Sequence, residues 1–70
     1  MTTEQYKRLE PQIPFIKIFF NEKTWGGNID ILNNVAVELG YKTNLGCNQC
    51  KADLVNYMYH RLIEYENTAQ

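Results

Sequence analysis

Residues 48–66, NQCKADLVNYMYHRLIEYE, decide the fold. They contain neither Pro nor Gly, and at 100° per residue Cys50, Leu54, Met58, Leu62 and Tyr65 fall within about 120° of arc, a continuous apolar stripe. Asp53, Asn56, His60 and Glu64 take the opposite arc. The pattern predicts a helix of about five turns, about 28 Å long at 1.5 Å per residue. One striped helix buries nothing alone, so the rest of the chain has to supply covering elements.

The preceding stretch supplies the first. Asn28 is a suitable N-cap and Gly40 a suitable residue just past a helix end, and Ile29, Leu32, Val35, Ala36 and Leu39 share one face between them. Asp30, Asn33, Asn34 and Glu38 lie on the other face, with Ile31 at the boundary and Val37 exposed. Further back, a hydroxyl of Thr2-Thr3 caps a short helix running to about Leu9, which Pro11 and Pro14 then disturb. Leu9, Ile13, Ile16 and Phe20 step by four, three and four, as a helix requires, while Phe15-Lys17-Phe19 alternates as a strand would. Helix is the reading for residues 14–21, because no other segment offers a strand partner and a lone strand leaves its backbone unpaired. The expectation is an all-α fold, a single domain over residues 1–70. It is a small three-helix bundle with a short or kinked N-terminal helix.

A chain of 70 residues buries only about 60% of the surface it exposes when unfolded. Burial at ~25 cal/mol/Å² then nearly cancels ordering at about 1.5 kcal/mol per residue, so self-association, a metal or a partner is expected to add stability. Hydrophobic residues make up 44% of the chain, enough for a packed core. Seven basic and eight acidic side chains give a net charge of −1, and such a balance exerts no general pull on nucleic acid or an anionic membrane. The longest nearly apolar run, Phe15 to Phe20, is interrupted by Lys17 and is too short to span a bilayer, and no leader pattern precedes it. A cytoplasmic protein without membrane contact is expected.

Cys47-Asn48-Gln49-Cys50 is the one local pattern with chemical meaning, and it has three readings. Zinc needs about four ligands, and the chain holds two Cys and one His. On a continuous helix His60 lies about 15 Å along the axis from Cys50, so the two cannot share an ion. Zinc shared across a dimer by two CxxC pairs remains open. A redox dithiol is the second reading, because a thiol at a helix N-terminus gains thiolate character; the βαβ pattern and nearby cis-Pro that accompany thioredoxin-like sites are missing. The favoured reading is packing. Both thiols project into the Leu54/Met58/Leu62 stripe and seal the start of the helix as small hydrophobes.

Little else suggests catalysis. There is no Ser, His60 reads as a solvated imidazole beside Asn56 and Glu64, no carboxylates are paired, and Gly26-Gly27 lacks the glycines and Lys-Ser/Thr of a phosphate loop. No catalytic residue and no cofactor are expected. The binding candidates are aromatic. Trp25 either closes the end of the bundle or stands out as an anchor. Tyr57, Tyr59 and Tyr65 occupy three azimuths, so at least one is expected to be exposed. Tyr59 with Ile63, four residues apart, forms the favoured apolar patch for a protein partner or a second copy.

Residues 32–43, LNNVAVELGYKT, are similar to the first helix and turn of AraC-type helix-turn-helix proteins, which makes a DNA-binding regulator the alternative. The likeness ends there, since Gly46 and Gln49 fall where the apolar residues of a recognition helix belong. Met1-Thr2-Thr3-Glu4-Gln5-Tyr6, Gly46-Cys47-Asn48-Gln49-Cys50 and Tyr65 resemble the opening and closing of small CxxC-containing proteins encoded by phages and prophages of gut bacteria. That resemblance spans most of the chain and implies an accessory or assembly role and no catalytic residue; Pro14 departs from the more continuous first helix it would suggest. The function expected is a non-enzymatic protein-interaction module, homo-oligomeric in the phage-like reading, with the CxxC redox or intersubunit zinc protein as the further alternative.

Overall fold

The computed structural model describes residues 1–68, which is all of the expected 1–70 domain but its last two residues. They form four helices, α1 (Thr3–Leu9), α2 (Ile13–Glu22), α3 (Ile29–Glu38) and α4 (Asn48–Thr68), with a 3₁₀ turn at Glu10–Gln12 between α1 and α2. No strand occurs among the described residues. α1, the 3₁₀ turn and α2 make up one kinked N-terminal arm, so the architecture is the small three-helix bundle with a kinked first helix.

Local chemistry explains each boundary. Thr2 caps α1 reciprocally: Gln5 N–H donates to Thr2 Oγ1 at 3.1 Å and Thr2 N–H donates to Gln5 Oε1 at 2.8 Å. Pro11 lies at the start of the 3₁₀ turn and Pro14 at the start of α2, where a missing N–H breaks no helical bond. The prolines therefore bend the arm without turning residues 14–21 into a strand. Asn28 caps α3 by accepting the Asp30 N–H at 3.0 Å. At its far end Tyr41 N–H reaches Ala36 O at 2.8 Å and Gly40 N–H reaches Val37 O at 3.0 Å, with Gly40 at φ 89°. This is a Schellman closure, and it needs the left-handed backbone that glycine adopts without strain.

The loop from α2 to α3 is anchored by one buried polar side chain. Gln12 is 8% exposed, and its Oε1 accepts the Asn28 N–H at 2.7 Å. A Cβ on Gly27 would stand 2.5 Å from that oxygen and 2.9 Å from the Trp25 ring. Only glycine lets the chain pass so close.

α4 is the spine, packed against both α2 and α3, while α1 packs on α3. The core is Leu9 and Ile16 from the arm, Leu32, Val35 and Ala36 from α3, and Leu54, Val55, Met58 and Leu62 from α4. Val37 is 55% exposed, as its azimuth requires. On α4 the buried set includes Val55, which the expected stripe omits. Its centre is therefore rotated by about 35° from the centre of the predicted one, and Cys50 lies about 95° from it. The helix turns this way because α2 and α3 flank it on two sides and together bury a wider face than a single partner would.

The helix-turn-helix reading fails on spacing. Between Glu38 and Asn48 lie nine residues, 39–47, where such a motif has a turn of about three or four. The helix that follows gives Leu54, Val55, Met58 and Leu62 to the core of the bundle.

Candidate functional site

Three stacked aromatic pairs cover the three tyrosine azimuths of α4. Tyr65 stacks on Tyr6 of α1 with centroids 4.8 Å apart, Tyr59 on Phe20 of α2 at 4.1 Å, and Tyr57 on Tyr41 at 4.2 Å. All three tyrosines of α4 are half-buried. The expectation that one of them stands exposed is corrected, because each finds a ring on a different neighbouring segment. Tyr59 is thus tied into the bundle, and Ile63 beside it is half-buried as well. The Phe20 ring covers the tyrosine side of the patch assigned to that pair.

His60 is exposed and presents its ring edge-on to Phe20 at 6.4 Å and to Tyr59 at 5.8 Å. Glu64 does not orient it; that carboxylate accepts from Arg61 at 3.2 Å. Among the described residues the His60 ring meets aromatic edges and no hydrogen-bonding side chain.

The apolar surface left open lies on α2. Phe15 is 37% and Ile18 43% exposed, and Pro14 is exposed beside them. Opposite Ile16, these three share about 100° of arc. The signal was present in the sequence. With Ile16 placed inward, the 3.6-residue period leaves Pro14, Phe15 and Ile18 outside, but an alternating reading of the same residues obscures it.

Trp25 is half-buried against the core, edge-on to Phe19 with centroids 6.4 Å apart. Of the two placements open to it, Trp25 takes the one packed against the bundle. Its Nε1 is buried without a partner among the described residues. With Phe19, Ile29, Ala52 and Val55 it lines a cavity of about 200 Å³, which Lys23, Asn48 and Lys51 complete. The cavity opens at the first turns of α4, and two of its lining residues, Asn48 and Lys51, are the chain neighbours of Cys47 and Cys50.

The two cysteines are free thiols, each half-buried, and neither is among the buried core residues. The packing expectation is corrected here. Cys47 precedes the first residue of α4, so helical azimuth does not govern it; it is the N-cap. Its Sγ accepts the Cys50 N–H at 3.2 Å, and its carbonyl accepts the Lys51 N–H at 3.0 Å. Cys50, one turn on, has its carbonyl held by Thr43 Oγ1 at 3.1 Å. Hydrogen bonds from the Cys50 thiol and then from the Cys50 N–H hold the Cys47 thiol below the ordinary range. The reciprocal bond and partial burial push Cys50 up. Two identical side chains are thereby made chemically unlike. Among the described residues no three His, Cys, Asp or Glu side chains come together as a metal site.

No family model, curated protein or solved structure matches the chain. No helix among the described residues is long and apolar enough to cross a membrane.

Proposed function

We propose that the chain is a non-enzymatic protein-interaction module that pairs with a second copy of itself through the outer face of α2. The observation carrying this reading is that Phe15 and Ile18, two of the four large hydrophobic side chains left exposed, lie with exposed Pro14 on that one face, while Phe20 is stacked on Tyr59. Clustered exposed apolar side chains mark interaction surfaces, whereas a scattered one such as Val37 does not.

A two-fold arrangement that sets Phe15 against Ile18 of a second copy lays the two apolar faces on each other. Pairing also adds apolar burial to a core too small to leave much surplus. The accessory or assembly role implied by the phage-protein resemblance is in keeping with such a module. A cytoplasmic setting accords with two free thiols.

The test is the mass in solution. Wild type is expected to sediment as a dimer at tens of micromolar, and Phe15→Glu with Ile18→Lys as a monomer of unchanged helix content. Wild type that stays monomeric throughout, or a double variant that still dimerises, refutes the reading.

A further inference from the structure

We propose that Cys47 and Cys50 form a thiol–disulfide exchange site for low-molecular-weight disulfides, with Cys47 as the attacking sulfur and Cys50 as the resolving one. The argument begins with placement. The pair spans one turn at the start of the 21-residue α4, which puts the Cα atoms about 5 Å apart, inside the range a disulfide bridges without backbone movement. Both thiols are partly accessible, as exchange requires and as a core cysteine is not.

The hydrogen bond from Cys50 N–H to Cys47 Sγ supplies the asymmetry. A sulfur in the N-cap position receives an amide donor aimed at it and the positive end of the helix dipole, and both favour the thiolate. The Cys50 sulfur also receives a backbone hydrogen bond at Asn44, but its bond to Cys47 and its partial burial outweigh it, and Cys50 retains its proton longer. The cavity walled by Trp25, Phe19 and Val55 has Asn48 and Lys51 in its lining but neither cysteine, so the exchange site rests on the thiol pair itself.

The reaction balances with the disulfide as oxidant. Cys47 thiolate attacks one sulfur of R–S–S–R, forms a mixed disulfide and expels RS⁻. Cys50 then gives up its proton and attacks the Cys47 sulfur, closing the intramolecular disulfide and expelling a second RS⁻. The protein dithiol loses two electrons and two protons, and R–S–S–R becomes two R–SH.

The experiment uses the full chain with oxidised glutathione as probe. Wild type is expected to lose two hydrogens in mass without accumulating an adduct, while Cys50→Ser stops as a stable glutathione adduct on Cys47. At neutral pH Cys50→Ser is expected to react with iodoacetamide roughly tenfold faster than Cys47→Ser, the remaining thiol being the more ionised one. Helix content by circular dichroism verifies that both variants fold. Equal alkylation rates in the two folded variants overturn the proposal, as does a wild-type dithiol that survives excess oxidised glutathione. Zinc that protects both thiols at one ion per two chains also overturns it, by making the pair half of a shared metal site.

Discussion

The two ends of α4 are held in opposite ways. At the C-terminal end Tyr65 stacks on Tyr6, the Tyr6 hydroxyl donates to Glu66 Oε2 at 2.9 Å, and the Tyr65 hydroxyl shares a hydrogen bond with Thr3 Oγ1 at 2.9 Å. The rings have partners and so do their polar tips. At the N-terminal end the cap is a sulfur, a weak acceptor, and the neighbouring space is an open cavity. One end is thus fastened by paired rings and satisfied hydroxyls, while the other begins at a half-buried thiol.

Removing a ring should expose that contrast most sharply. Tyr65→Ala deletes the stack and the link to Thr3, and is expected to cost about 2–3 kcal/mol in chemical denaturation, since an aromatic pair adds roughly 0.5–1.5 kcal/mol to the apolar area it buries. A loss within error would mean that α1 is not fastened through this ring.

The opposite sign is expected at the other end. Cys47→Asp exchanges a poor cap for a strong one at the positive end of a long helix, and stability should rise by about 0.5 kcal/mol while disulfide formation disappears. A destabilised Asp variant would show that the thiol contributes packing that its half-buried position does not suggest.

Alkali gives the smallest effect and acts on the two ends in opposite directions. Glu66 accepting the Tyr6 hydroxyl raises Tyr6 above 10.0, so its contribution is complete below pH 10 and fades as pH rises through the folded value. Cys47 is lowered from 9.0. Its contribution is complete above pH 9 and fades as pH falls through the folded value. Between pH 8 and 11 Tyr6→Phe should lack part of the wild-type decline, and Cys47→Ser should steepen it. Parallel curves for all three proteins would remove the electrostatic part of the comparison.

Much of this architecture is legible in the order of residues, because short-range chemistry governs it. Thr2, Asn28 and Gly40 mark helix boundaries through bonds made within a few positions, and periodicity places Leu32, Val35, Leu54, Met58 and Leu62 inside. The ring partners are another matter. Tyr6 and Tyr65 or Phe20 and Tyr59 meet only after the chain has folded back on itself, and nothing local distinguishes a stacked tyrosine from an exposed one. Val55 was obscured by the choice of a single stripe, since two flanking helices widen the buried face. Cys47 escapes the azimuth reading because it stands one residue before the helix that begins at Asn48. That one step separates a side chain following the helical azimuth from one folded over the helix end.

Gly40 has a different consequence. A Cβ built there meets nothing within 4 Å, yet φ is 89°. The restriction at this turn is therefore one of handedness and not of size. A mirror-image residue favours that backbone, and a chemically synthesised chain carrying D-alanine at this position is expected to retain the turn while giving up the conformational freedom that glycine has when unfolded.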